Sequence, residues 1–507
     1  MLDIGLGRLR TGLVVLFFAT FASLTVETAQ AGVRDPNVVL KGVLDHRDHE
    51  TYREVPFRVP VGVKTLTVEF DYSGRRDRSV IDLGLRDPQR FRGWSGGNKS
   101  RLVIEEADAT PSYLSGPLPA GNWHLVLGVP NLRKDKIAAY EARIWFGMGG
   151  REGADALAIP RKSGWAWYRG DLHLHTGHSD GICASHRGVS VPCPVFKTLE
   201  AAVARGLDFI AVTDHNATSQ NASMRELEPY FDDLLLISGR EITTFHGHAN
   251  VFGVTGPLDF QLGGPRAPNL GKILDQVDDA HGLFSINHPG LPSGEACMGC
   301  GWTVADTDWS RIKSLEVING GGLALLGAEG PLSGLPTWEA RLNEGFRITA
   351  IGGSDNHNPT SGAEVGTPTT VVHAPDLSEA AILRAITQGH VFVDVWGSGH
   401  LNLEVEAHVG AQHAEMGDLL LVGAGDLAQF EVKVTGMLQD VRLSLAGSRP
   451  SPPQLEAPIL RQPSATRAFQ IEAGGKAQWI RVDVRDLQGK LLVLGNPIYL
   501  RPYPKAD

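Results

Sequence analysis

Three histidines and two aspartates fall within residues 171–181, DLHLHTGHSDG, and this stretch restricts the fold more than any other. Charged and imidazole groups are costly to bury unless something pairs with them, so the fold must bring partners to this segment. Read as a strand, Asp171, His173 and His175 alternate onto one face, and Leu172 and Leu174 onto the other. Two imidazoles on one strand face form a pattern of metal ligands.

Acidic and imidazole residues recur at the downstream ends of later apolar runs. Asp214, His215 and Asn216 follow FIAVT, and Glu241 follows LLISGR, with His246, His248 and Asn250 close behind. LFSIN runs into His288, and ITAIGGS runs into Asp355, Asn356 and His357. These runs alternate with helical patterns such as NLGKILDQVDDAHG and SEAAILRAITQG, which argues for a βα barrel or an open α/β sheet over 165–397. In a parallel βα barrel the carboxyl ends of the strands converge on one face, where such folds place their sites. Imidazole and carboxylate ligands without thiolate suit Zn, Mn or Fe rather than copper.

Both flanks have another texture. Residues 33–150 and 398–507 carry short alternating runs, among them KTLTVEFDYS, GNWHLVLGV, LNLEVEAHV and QWIRVDVRD, broken by Gly, Pro and Asn. They are expected to be all-β sandwich domains. GMGGREGADAL reads as a linker, and SRPSPPQLEAP as a Pro-rich loop. At the start, Arg8 and Arg10 precede the apolar run GLVVLFFATFASL, and AQA at 29–31 offers a cleavage site. Residues 1–31 are therefore expected to be an export signal, leaving a periplasmic or secreted mature chain without a membrane span. A net charge of -10 argues against a nucleic-acid partner that depends on a basic footprint.

Export governs the reading of Cys183, Cys193, Cys297 and Cys300. Disulfides are favoured in an oxidising compartment, and a zinc held by four thiolates is the alternative. Local pairing, Cys183 with Cys193 and Cys297 with Cys300, is slightly favoured over cross-loop pairing. Each pair follows a candidate ligand, Asp180 or His288, so disulfides there are expected to stiffen the rim of the site.

The ordered set DLHLHTGHSDG, VTDHN, GREIT, NHPG and GSDNH resembles the PHP (polymerase and histidinol phosphatase) superfamily. The framing segments WAWYRGDLHLHT, HGHANVFG and the terminal WIRVDVRD and NPIYL resemble an exported, carbaryl-hydrolase-like branch of it. The resemblance implies a distorted seven-stranded βα barrel binding two or three divalent transition metals. It implies His173, His175, bridging Glu241 and Asp355 at a first metal, and Glu241 with His288 at a second. Asp180, His215 and His357 match the third. Relatives carry a His where this chain has Asn250; His248, two residues earlier on the same strand face, is the expected substitute. His178 and His246 match no role and could line the mouth, whereas His281 reads as a helix-end residue.

A metal-activated water supplies a nucleophile at neutral pH. The leading expectation is hydrolysis of a small phosphoester, with Glu241, Asp355 and His357 as the catalytic set. Hydrolysis of a carboxyl ester or carbamate is the alternative, because Arg187, Arg240 and Lys272 are the few cations near the motifs. Arg240 precedes Glu241, so in a regular strand its side chain faces the other way. A non-catalytic binding protein is the third possibility.

Overall fold

The computed structural model describes residues 35–148, 160–295, 297–361, 364–448 and 458–504. The expected export signal lies outside them, as do most of the linker and most of the Pro-rich loop. No helix among the described residues is long and apolar enough to cross a membrane.

Nine strands organise the site: β1 (Ser163–Asp171), β2 (Phe209–Val212), β3 (Leu235–Thr243), β4 (His248–Phe252), β5 (Leu283–Ile286), β6 (Ser314–Asn319), β7 (Thr349–Gly353), β8 (Thr369–Asp376) and β9 (Val391–Asp394). Their order is β7-β6-β5-β4-β3-β2-β1-β8-β9. β2, β4, β5 and β7 are buried along their whole length, as expected of strands covered on both faces. Helices fill most connections: α1 (Val195–Ala204), α2 (Gln220–Leu227), α3 (Leu270–Asp279), α4 (Gly320–Leu326), α5 (Leu335–Asn343) and α6 (Glu379–Gln388). The reason is visible in α3, where Leu270, Ile273, Leu274 and Val277 share one stripe and are buried, and Asn269 caps Lys272 N–H.

Pairing is parallel for β1/β2, β2/β3, β5/β6 and β6/β7, but β4 runs antiparallel to both β3 and β5. An all-parallel run is thus not what forms. Only residues 244–247 separate β3 from β4. A parallel crossover needs about a dozen residues, so this link can only reverse the chain. The reversal puts the start of β4, His248, opposite Thr243 at the end of β3. β1 also ends earlier than expected, at Asp171 rather than His175. Regular pairing ends at Asp171, whose buried carboxylate accepts the N–H groups of His173, Ser354 and Gly366 at 3.1, 3.0 and 2.8 Å. Beyond it, Asp355 N–H bonds His173 O and His175 N–H bonds Asn356 O, both at 2.9 Å, tying the segment after β7 to that after β1.

The flanks are strand-rich. Two antiparallel four-stranded sheets cover 38–147, and Leu66 and Val68 of one share a core with Leu85, Trp123 and Leu125 of the other. After β9 the central sheet continues into Leu491–Gly495, Gln478–Arg485 and Val441–Gly447. Phe392 of β9 shares a core with Leu403, Phe430 and Val432 of a separate four-stranded sheet.

Candidate metal centre

All nine side chains singled out as ligands converge, from strand ends that are far apart in sequence. Groups of His175, Asp180, His215 and His357, of His173, Glu241 and His288, of His173, His175 and Asp355, and of His215, Glu241 and His248 each hold donor atoms within 4.8 Å of one another. Glu241, fully buried at the end of β3, is the hub. Its Oε1 lies 3.4 Å from His173 Nε2, 3.3 Å from His248 Nδ1 and 3.3 Å from His288 Nε2. Its Oε2 lies 3.5 Å from His175 Nε2. Asp355 Oδ1 sits 3.3 Å from His173 Nε2 and 3.1 Å from His175 Nε2. Across His175, Asp180 approaches His215 Nε2 at 3.6 Å and His357 Nε2 at 3.4 Å.

Whether a metal fits can be asked of the atoms. His173 Nε2, His175 Nδ1 and Glu241 Oε2 are buried without a hydrogen-bond partner. His215 Nδ1 lies 2.8 Å from Glu241 Oε2, yet its bond goes to Thr243 Oγ1 at 2.6 Å. A buried lone pair without a partner calls for one, and a metal ion supplies it. Ligands 2.0–2.1 Å from a tetrahedral ion stand about 3.3 Å apart, close to the spacings here. The residues fit a divalent metal ion.

Outer partners hold the rings in place. His173 Nδ1 meets Glu316 Oε1 at 3.0 Å, and Glu316 Oε2 accepts His288 N–H at 3.0 Å. Asn287 donates to Glu241 Oε1 at 2.8 Å, and Asn319 to Asp355 Oδ2 at 3.2 Å. Buried Asp214 accepts Thr176 N–H, Thr176 Oγ1 and Ser179 Oγ, bracing the HTGHS turn. None of Glu316, Asn287 and Asn319 was foreseen. Glu316, a lone acid inside the apolar run SLEVING, is the one that sequence could have flagged.

The charges explain one another. Burial pushes the Glu241 carboxyl up, but the imidazoles of His173, His215 and His248 outweigh it and hold it well below the usual range. Burial works against a charged His173, and Asp355, Glu316 and Glu241 together raise it well above the ordinary value. Asp355 is held well below its usual range, against burial, by His173 and His175. Backbone strain marks the same places: Asn216, His288 and Asp355 adopt left-handed φ of 48°, 26° and 54°. Such conformations cluster where neighbouring structure over-determines them.

Other candidates lie apart. Asn250 turns its amide to Leu172 O at 3.0 Å, so His248 is the residue that reaches Glu241. Arg240 points away, with Nη2 on the carbonyls of Val254 and Gly256. Lys272 pairs with Asp275 on α3. His178 bonds Ser219 and Ser223, His246 is exposed, and His281 ends α3 at φ 56°. The sulfurs of Cys183 and Cys193, and of Cys297 and Cys300, lie at bonding distance, so no cysteine among the described residues is free for a zinc.

No family model matches the chain. An uncharacterized protein of Methanocaldococcus jannaschii is 27% identical over 154 residues, 30% of this chain and 81% of that protein. A solved two-domain protein from Bacteroides vulgatus, described as containing a predicted PHP-like metal-dependent phosphoesterase, overlays on 68% of this chain and 96% of its own. Its TM-score is 0.38 and its identity 17%.

Proposed function

We propose that this chain is an exported, metal-dependent hydrolase of the PHP type, acting on a small phosphoester. On this reading β1–β7, joined through the bonds between 354–356 and 173–175, form the distorted seven-stranded barrel, flanked by β domains at 33–150 and 398–507. One observation carries it: nine imidazole and carboxylate side chains, the buried Glu241 among them, converge while His173 Nε2 and Glu241 Oε2 have no hydrogen-bond partner. Bound Mn, Zn or Fe would supply an activated water near neutral pH and a positive seat for a substrate oxygen.

The chain's own residues divide the work. His173, His175, Asp355 and Glu241 would hold the first ion, Glu241, His248 and His288 the second, and Asp180, His215 and His357 the third. Glu241 can bridge because its two oxygens face different imidazoles. Asp180, His215 and His357 are the solvent-facing edge, their side chains 55%, 26% and 37% exposed against 0–2% for His173, His175 and His288. Substrate enters there. Asp355, held by Asn319 at the same edge, is placed to accept a hydrogen bond from the attacking water. His357 commits Nδ1 to Asp355 O at 2.9 Å, leaving Nε2 to meet an ion or the leaving group.

A second reading, carboxyl ester or carbamate hydrolysis, is favoured by one feature. The polar contacts of the nine side chains run to one another, to Glu316, Asn287, Asn319, Thr243 and Ser179, and to backbone carbonyls, a set without lysine or arginine. The test strips the protein with chelator, reloads it with Mn, Zn or Fe, and offers an aryl phosphate, phosphodiester, acetate and carbamate. Metal-dependent phosphoester turnover, inhibited competitively by phosphate, is expected. Turnover of the carbamate or acetate alone would replace the first reading by the second.

A further inference from the structure

We infer that the Cys297–Cys300 loop is a positioning device for the metal centre, its disulfide fixing the rings of His248 and His288; this rests on the metal-centre reading above. Two carbonyls of the loop reach inward. Met298 O takes His248 Nε2 at 3.1 Å and Cys300 O takes His288 Nδ1 at 2.9 Å. A carbonyl can only accept, so each contact assigns a proton to that nitrogen, and in the neutral ring that binds a metal the lone pair is on the other. The other nitrogens, His248 Nδ1 and His288 Nε2, are the two that stand 3.3 Å from Glu241 Oε1. One short loop therefore sets tautomer and orientation for both of these imidazoles, two of the five that face Glu241.

The remaining rings do not depend on it. His173 is held by Glu316 of β6, His175 by the carboxylate of Asp355, His215 by Thr243 of β3 and His357 by the carbonyl of Asp355. The loop belongs to the stretch between β5 and β6, which carries no helix or strand among its described residues. Without regular structure, its carbonyls need another restraint. Gly299 donates to Ser293 Oγ at 2.8 Å, and at φ 81° it packs so closely on Thr244 O that a Cβ would collide. The disulfide closes the loop on either side of that contact.

Breaking the bridge should therefore weaken one class of metal site and spare the rest. The experiment titrates Mn or Zn into chelator-stripped protein by calorimetry, with circular dichroism as the check on folding. It compares wild type, Cys297→Ser/Cys300→Ser and Cys183→Ser/Cys193→Ser. The first double variant is expected to lose about 10–100-fold in affinity for one class of ion. The second double variant should retain that class, because its hairpin reaches the site at His357, through Ile182 N–H to His357 O. Gly299→Ala keeps the bridge but displaces the carbonyls; it should show the same selective loss and stands in should the serine variant fail to fold. Unchanged affinities in a folded Cys297→Ser/Cys300→Ser or Gly299→Ala variant would overturn the inference. A wild type that takes up no metal would instead overturn the metal-centre reading itself.

Discussion

Glu241 has no solvent contact, and each of its oxygens faces imidazoles rather than a cationic side chain. Such a carboxylate is stable only while its partners carry protons or share an ion with it. His215 shows the consequence. Burial works against its charge, but Asp180 and Glu241 outweigh that and raise it to about 10. The sign follows from linkage: its stabilisation is whole below the ordinary 6.5 and is lost as pH rises toward about 10. Metals take neutral imidazole, so loading at pH 7 must expel protons. Calorimetric titrations in two buffers of different ionisation enthalpy should show proton release, with affinity rising with pH above 6.5; equal heats and a flat profile would contradict this. Glu316 is the residue to change beside it. Glu316→Gln should keep the fold yet cost about 10–100-fold in metal affinity, read by competition with a chelator, because the amide gives His173 Nδ1 a weaker, neutral partner.

At the scale of elements, much of the site was legible because the apolar runs of β2, β3, β5 and β7 each give way to Asp, His or Glu at the downstream end. The direction of β4 is legible too, because the four residues between Thr243 and His248 are too few for a parallel crossover. Glu316 was harder, since an acid inside a buried strand has no local signal for its partner; that partner, His173, lies 143 residues away. Early termination of β1 was invisible for the same reason, as Asp171 reaches Ser354 and Gly366 only after folding. The reversed β4 separates two roles that sequence leaves entangled. His248→Ala should lose metal while keeping the fold. Asn250→Ala should keep metal but lose about 1–3 kcal/mol of stability, because it removes the donor to buried Leu172 O. Denaturant unfolding and metal content measured on both variants check the pair, and loss of metal from the Asn250 variant alone would reverse the assignment.

Across the whole molecule, the strands that carry the candidate ligands and the C-terminal strands share one hydrogen-bonded sheet. Buried Asn496 accepts Ala350 N–H at 2.8 Å and donates to Ala350 O at 3.0 Å and Val391 O at 2.8 Å, clasping β7 and β9 from the far end of the chain. Phe392 and Val371 bury themselves against C-terminal side chains, and β9 pairs with Leu491–Gly495. A chain stopped after residue 397 would expose that edge and that core, and is expected to aggregate on expression; a soluble, cooperatively melting truncation would show that the C-terminal strands are dispensable. On the metal-centre reading, the convergent donors hold ions. Elemental analysis of protein saturated with Mn, Zn or Fe and then desalted tests it most directly, run alongside Glu241→Gln. Two or three equivalents per chain, falling sharply in the variant while its circular dichroism is unchanged, is the expected result. Less than one equivalent in the wild type, with no rise in melting temperature on adding metal, would contradict it.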